Sequence, residues 1–169
     1  MAITLVSTVT VGGGGATSIS FSNIATTGKD LMILMSSRNS VNETGIALQF
    51  NGDTANNYAY RMLYGDGSSV TSQADSDGIN RIVSYTNNIP NFTASSFSSV
   101  QYHITNYAAS ASKIVSIDGV ITNNSSTAYQ SFVGGRWTGT AAVTSLTLTA
   151  LGTNPSFVQN TVASLYIIS

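Results

Sequence analysis

His103 is the only histidine in the chain and the first residue to consider for acid–base chemistry. Val100, Tyr102 and Ile104 alternate beside it, which places His103 on the opposite, more polar face of a strand. A histidine with no Cys, Asp or Glu near it in the sequence is typical of a strand surface rather than of a general base. A Ser-His-Asp triad stays open because serine is abundant, but the Gly-x-Ser-x-Gly elbow of hydrolases is absent. We therefore predict no catalytic residue and no enzyme.

The carboxylates are candidates for calcium binding. Asp53 and Asp66 lie in the Gly-containing turns at 51–53 and 65–67, and Asp75 and Asp77 share a third polar segment. Carboxylates from such loops can hold Ca²⁺, yet no Glu follows Asp75 at the position that an EF-hand requires. Asp in turns usually accepts hydrogen bonds from its own backbone, and Glu43 is the sole glutamate, so a pair of acids for glycoside hydrolysis is unsupported. We predict turn chemistry, no metal site and no cofactor.

The aromatic residues are the strongest candidates for a contact surface. Tyrosines exposed on a sheet face could stack on sugar rings or anchor a protein interface, where Tyr and Trp are enriched. The alternative is a core or edge position with the hydroxyl group reaching water, and for Trp137 we favour the core. The candidate interface or glycan-contact residues are Tyr58, Tyr60, Tyr64 and Trp137.

Composition excludes several classes of protein. Of 169 residues, 42% are hydrophobic and only 8% charged, with a net charge of −1 and no cysteine. Scattered basic residues do not form the footprint of a nucleic-acid binder, and no apolar run reaches the length of a membrane span. The four glycines at 12–15 lack the Lys and Ser/Thr of a phosphate loop and predict a flexible turn. The hydrophobic content argues against disorder.

Strand-like alternation and turn residues organise the whole chain. The segment 46–70 predicts two strands joined by a polar connection, with Ile46, Leu48 and Phe50 alternating in the first. The run 31–39 predicts a strand buried on both faces, and 73–78 a loop. The predicted strands cover 3–11, 16–21, 31–39, 46–50, 58–64, 80–86, 98–105, 113–118, 128–137, 143–151 and 157–168. About eleven strands and no sustained helical period predict one domain over residues 1–169, an all-β, jelly-roll-like antiparallel β-sandwich.

Three motifs resemble a β-sandwich family of tailed-bacteriophage virions. They are the FNGDT…Y segment from Phe50 to Tyr58, the LYGDGS turn from Leu63 to Ser68, and Trp137 before AVTSLTL, which ends at Leu148. A closing apolar strand from Ala163 to Ile167 completes the likeness, which covers most of the chain. The matching positions are turn and core residues rather than catalytic ones.

The resemblance implies a virion structural protein, made in the host bacterial cytoplasm and carried in the virion. Such domains occur as capsid decoration proteins and as modules of tail fibres. Because no shaft or coiled coil is evident, we expect a capsid decoration or cement protein that binds the major capsid protein and acts as a homo-oligomer. The alternative is a tail-fibre or tail-tip module that binds a host-surface glycan, with tail proteins as partners. Neither hypothesis involves nucleic acid or a membrane.

Overall fold

Alternating apolar and polar residues form twelve strands in the computed structural model, which describes residues 2–123 and 128–169 apart from the side chains of residues 76 and 77. The strands are β1 (Ile3–Thr10), β2 (Ser18–Phe21), β3 (Asp30–Ser36), β4 (Gly45–Phe50), β5 (Tyr58–Gly65), β6 (Val70–Ile79), β7 (Ile82–Tyr85), β8 (Ser99–Thr105), β9 (Lys113–Thr122), β10 (Ala128–Trp137), β11 (Leu146–Ala150) and β12 (Val162–Ile168). The described part of the chain contains no helix long and apolar enough to span a membrane.

The strands form two antiparallel sheets. The larger sheet has the order β1-β12-β3-β8-β9-β10-β5-β6, and the smaller sheet has the order β2-β11-β4-β7. Residues of both sheets build the hydrophobic core, among them Phe21, Leu48 and Phe50 from the smaller sheet and Ile33, Tyr102 and Ile117 from the larger one. The predicted all-β fold with two antiparallel sheets, as in a β-sandwich, is confirmed.

Pairing along the chain is nested. β1 pairs with β12, β2 with β11, β3 with β8 and β4 with β7. Each of these pairs is enclosed in sequence by the pair before it. Two hairpins interrupt this pattern, β5–β6 and β9–β10, and both extend the larger sheet. The larger sheet is therefore twice as wide as the smaller one and extends beyond its edge.

The segment 46–70 departs from its prediction. Its two strands are present, but β4 belongs to the smaller sheet and β5 to the larger one, so they do not pair with each other. β5 instead pairs with β6, which covers the segment predicted as a loop at 73–78. Tyr64 on β5 and Gln73 on β6 both contact Tyr85 on β7, an edge strand of the smaller sheet. The β5–β6 hairpin therefore packs against β7.

Two further predictions are corrected by burial. Leu31 and Ile33 on β3 are buried, but Leu34 on the other face is 41% exposed, so this strand is buried on one face only. The strand predicted at 113–118 is longer than expected, because β9 continues through Gly119 to Thr122. A Cβ at Gly119 would lie 2.3 Å from Cγ2 of Thr86, so the glycine allows the close approach of Thr86 instead of reversing the chain.

Candidate functional site

Three of the four aromatic residues predicted as a contact surface lie in the core. Tyr58, Tyr60 and Trp137 are 1%, 3% and 4% exposed. The rings of Phe50, Tyr58 and Trp137 form what we call the tryptophan cluster, with centroids 5.5 Å apart for Phe50–Trp137 and 6.3 Å for Tyr58–Trp137. The structure corrects this part of the prediction, because the two sheets cover these side chains. Trp137 is a core residue, the alternative that the sequence favoured.

Asp53 and Lys113 supply the polar contacts of the tryptophan cluster. Trp137 Nε1 donates to Asp53 Oδ2 over 2.7 Å, and the amide of Asn57 donates to the same oxygen over 2.8 Å. These hydrogen bonds, from Asn57 first and then Trp137, hold the pKa of Asp53 below its ordinary value. Lys113 Nζ lies 6.0 Å from the centre of the Trp137 ring and donates to the carbonyl oxygen of Ala109 over 2.7 Å. The Asp53 carboxylate is thus engaged in hydrogen bonds within the protein.

The other carboxylates considered for calcium are also engaged by the protein. Asp66 Oδ1 accepts the backbone N–H groups of Ser68 and Ser69, each over 2.9 Å. Asp75 Oδ2 accepts the hydroxyl of Tyr60 over 2.9 Å, and the side chain of Asp77 lies outside the described atoms. Among the described residues there is no group of three or more His, Cys, Asp or Glu placed to hold a metal ion.

His103 has an acidic neighbour that the sequence did not reveal. Its Nε2 lies 3.0 Å from Oδ2 of Asp30, and the other oxygen of Asp30 accepts the N–H of Asn106. Asp30 begins β3, and His103 lies on the neighbouring β8, so strand pairing joins residues 73 positions apart. The predicted position of His103 on a strand is confirmed, and strand pairing supplies the acidic neighbour that the local sequence lacks.

Tyr64 lines a cleft where the larger sheet extends past β7. We call it the aromatic cleft; its volume is about 340 Å³. Eight residues from separate parts of the chain line it, Glu43, Thr44, Tyr64, Tyr85, Ile89, Phe92, Ile121 and Tyr129. Sequence reasoning selected only Tyr64 of these. A usable signal was that Tyr64, Tyr85 and Tyr129 each lie near a strand end, and therefore near the rim of a sandwich.

The four aromatic rings of the cleft form two pairs. Phe92 and Tyr129 stack with centroids 6.1 Å apart and an angle of 9° between the ring planes. Tyr64 and Tyr85 meet edge to face at 5.9 Å and 71°. All four side chains are half-buried. Such pairs add roughly 0.5–1.5 kcal/mol beyond the area that they bury, so the walls are held in place without a ligand.

Arg38 positions the loop that carries Phe92. Its Nη1 donates to the carbonyl oxygens of Thr93 and Ser96, each over 3.0 Å, and its Nη2 donates to that of Phe92 over 3.1 Å. Burial lowers the pKa of Arg38. A guanidinium group offers five donors in a fixed plane, which suits the fixing of several carbonyl groups at once. The loop wall of the aromatic cleft is therefore rigidly supported.

Two buried polar side chains close to the aromatic cleft have no partner within the described protein. Asn87 lies in the chain between the cleft residues Tyr85 and Ile89, and neither atom of its amide group is hydrogen-bonded. Ser131 lies opposite Tyr64 in the β10–β5 pairing, and its Oγ is likewise unpartnered. Asn87 is 0% and Ser131 1% exposed. Buried polar groups are nearly always hydrogen-bonded, so these two are exceptions that need an explanation.

A second surface is the outer face of the larger sheet, meaning the side that points away from the smaller sheet. One row of cross-strand neighbours runs across all eight strands, Thr8, Ser164, Leu34, Gln101, Asp118, Phe132, Leu63 and Ser72. Asp118 is the only charged residue in this row. Phe132 and Leu63 are direct neighbours and are each 50% exposed. The outer face is thus a wide, weakly charged surface with exposed apolar side chains.

The comparisons with known proteins give no relative. No protein-family model, no curated protein and no solved structure matches this chain.

Proposed function

We propose that this chain is a non-enzymatic bacteriophage virion structural protein, a capsid decoration or cement protein that binds the assembled shell through its outer face. The observation that carries the proposal is the row of side chains across eight strands with a single charged member, Asp118, in which Phe132 and Leu63 are exposed side by side. Exposed apolar side chains grouped on one face are typical of protein contact sites.

The strand order supports a jelly roll with two inserted hairpins. Eight strands pair in nested fashion, with β1-β12-β3-β8 in one sheet and β2-β11-β4-β7 in the other. This order supports the proposal of a double-sheet jelly roll, an architecture that viral capsid and lectin domains share. The hairpins β5–β6 and β9–β10 add four strands to the larger sheet and so widen the surface offered to a partner.

The size of the outer face suits a stable interface with the major capsid protein. Eight strands at about 4.8 Å spacing give a width of roughly 34 Å. Six residues along each strand, at about 3.3 Å per residue, give a length of roughly 20 Å in the strand direction. The resulting area, on the order of 700 Å², is close to the roughly 800 Å² that each partner contributes to a standard protein complex.

Edge strand β1 supports the homo-oligomer part of the proposal. β1 pairs only with β12, and Ile3, Leu5 and Val6 on it are exposed. Free edge strands are usually blunted by Lys, Pro or short length, whereas β1 has eight residues and neither of these residue types. Pairing with β1 of a second copy would satisfy its open backbone groups in a symmetric interface.

Stabilisation of the shell follows from mass action. A protein that binds only the assembled form stabilises it by RT ln(1 + [L]/Kd), about 2.7 kcal/mol per site when its free concentration is 100 times Kd. Many sites on one shell add their contributions. No chemical step is required of the bound protein.

The test uses shells stripped of this protein and the purified chain. We expect rebinding in a sedimentation assay and recovery of heat resistance, and we expect Leu63→Lys with Phe132→Lys to weaken rebinding about 30-fold or more, because central apolar contacts dominate interfaces. Ser18→Lys, at an exposed position of the smaller sheet, is the matched control and should rebind normally. Equal rebinding by the double variant, or unchanged heat resistance of stripped shells, would reject the proposal.

The second candidate function is a tail-fibre or tail-tip module that binds a host-surface glycan. The aromatic cleft favours it, because its rings are exposed enough for contact and lie on the side of the larger sheet opposite to the outer face. Imaging of intact particles separates the two functions: density at capsid lattice positions supports decoration, and density at the tail supports receptor binding.

A further inference from the structure

The aromatic cleft combines several features of a small-ligand site. It is concave, it is lined mostly by aromatic and aliphatic side chains, and one carboxylate, that of Glu43, borders it. Its volume of about 340 Å³ falls within the roughly 300–1,000 Å³ of small-molecule sites, at the lower end. A ligand of one or two rings therefore fits better than a folded protein segment.

The ring pairs select for a flat ligand with an apolar face. Phe92 and Tyr129 are stacked nearly parallel, and both are half-buried, so part of each residue is open to water. Covering exposed aromatic surface is favourable by about 25 cal/mol per Å². The C–H face of a pyranose ring supplies such a cover while its hydroxyl groups point outward at the rim.

Polar groups are available for those hydroxyls. One oxygen of Glu43 accepts the N–H of Gly45, and a carboxylate has capacity for further donors. The hydroxyl groups of Tyr64, Tyr85 and Tyr129, which line the cleft, can both donate and accept hydrogen bonds. This dual character matches that of sugar hydroxyls.

Charge narrows the ligand class further. Among the described residues that line the cleft, Glu43 is the only one charged at neutral pH, and none is Lys or Arg. A phosphate or a carboxylated sugar in the cleft would meet a like charge with no cation among those residues to offset it. A neutral saccharide has no such penalty.

A polar groove continues from the cleft. Glu43 and Tyr85 line both, and the groove adds Gln73, Asp75 and Arg81. These side chains carry hydrogen-bond donors and acceptors. The groove adds one aromatic residue, Tyr60, to those of the cleft. One sugar ring in the cleft would therefore leave its neighbouring rings over hydrogen-bonding groups.

We propose that the aromatic cleft is a saccharide-binding site for a neutral hexose or N-acetylhexosamine unit at the end or within a short glycan. Phe92 and Tyr129 supply the stacking platform, Tyr64 and Tyr85 the facing wall, and Glu43 the hydroxyl acceptor. This site goes beyond shell binding and is independent of it, because the cleft and the outer face lie on opposite sides of the larger sheet.

The experiment titrates the isolated, isotope-labelled chain with neutral sugars and follows the aromatic ring signals by NMR. The probes are glucose, galactose, mannose, N-acetylglucosamine and N-acetylgalactosamine, up to about 50 mM, well above the 1 mM Kd of a weak complex. N-acetylneuraminic acid and glucuronic acid are the anionic comparison. We expect shifts of Phe92 and Tyr129 with at least one neutral sugar and much weaker shifts with the acids.

Variants separate binding from folding. Phe92→Ala should weaken binding about tenfold, Phe92→Tyr should retain it, and Phe132→Ala, an aromatic residue on the outer face, should leave it unchanged. Thermal unfolding verifies that each variant is folded. The proposal fails if no neutral sugar shifts the cleft signals or if Phe92→Ala binds as well as the parent. Shell rebinding is measured separately, so its failure and failure of the saccharide site are distinguishable.

Discussion

The tryptophan cluster and the aromatic cleft each contain a tyrosine from the same face of β5, but their surroundings are opposite. Tyr58 and Tyr64 lie on one strand, β5, three alternations apart. Tyr58 is enclosed in the tryptophan cluster, and burial raises its pKa to about 12, whereas Tyr64 borders the open aromatic cleft. The smaller sheet covers one end of β5 and not the other. Coverage by the second sheet, rather than residue type, decides which tyrosines are structural and which are available for contact.

The sharpest way to break this comparison is to remove one large ring from each group. We expect Trp137→Ala to lower the free energy of unfolding by about 3–5 kcal/mol, because it leaves a cavity and removes the N–H partner of Asp53. Tyr129→Ala in the cleft should lower it by roughly 1 kcal/mol, because that ring is already half-exposed. Urea denaturation followed by circular dichroism measures both. Equal losses would mean that the two aromatic groups do not differ in coverage.

Two adjacent glycines on β10 test whether other parts of the protein cover the backbone on each face of the larger sheet. A Cβ at Gly135 would lie 2.8 Å from Cδ1 of Ile82 and 2.9 Å from Cγ1 of Val115, whereas none of the described atoms that are distant in sequence lies within 4 Å of one at Gly134. We expect Gly135→Ala to cost about 1–3 kcal/mol through overpacking. Gly134→Ala, on the outer face, should be neutral or slightly stabilising.

Chemical denaturation of the two glycine variants side by side gives the answer. If Gly134→Ala destabilises as much as Gly135→Ala, the outer face is more tightly covered than the structure indicates.

A smaller effect concerns the pH dependence of the tryptophan cluster. Hydrogen bonds hold the pKa of Asp53 below its ordinary value of 3.8 in the folded chain, so the unfolded chain takes up this proton first on acidification. The stabilisation is therefore present above about pH 4 and is lost as the pH falls through the folded pKa. We expect Asp53→Asn to be less stable near neutral pH and to lose less Tm than the parent between about pH 6 and pH 3.

Asp66→Asn is the comparison variant for this pH experiment. The N–H groups of Ser69 and Ser68 also lower the pKa of Asp66. The Tm of the double variant Asp53→Asn, Asp66→Asn should therefore change less with pH than the Tm of either single variant. An Asp53→Asn profile parallel to that of the parent would contradict the role given to the Asp53 carboxylate.

Most strands could be predicted from alternation, and the exceptions have physical causes. β10 agrees with its predicted bounds from Ala128 to Trp137, and β4 and β5 agree within one residue at each end. β6 was missed because its sequence, with Asp75, Asp77 and Gly78, carries turn chemistry and little apolar alternation. It forms a strand through backbone pairing with β5 at the edge of a sheet, where a buried face is not required.

The candidate site could be predicted only in part. The wrong assumption was that Tyr58, Tyr60 and Tyr64 share one environment, which made all three candidates for one contact surface. The cleft needs Glu43, Tyr85, Phe92 and Tyr129 from distant segments, and their convergence depends on how far the larger sheet extends past the smaller one. Sequence patterns describe local alternation, and they contain no direct signal of that overlap.

Arg38 and Lys113 carry a further consequence, which concerns ionic strength. The hydrogen bonds of Arg38 go to the carbonyl oxygens of the loop at 90–96, and those of Lys113 go to carbonyl oxygens such as that of Ala109. A carbonyl group has no net charge, so neither contact is an ion pair. Dissolved salt therefore screens these two contacts much less than it would screen a salt bridge. The loop wall and the support under Trp137 should therefore persist in molar salt as in dilute buffer.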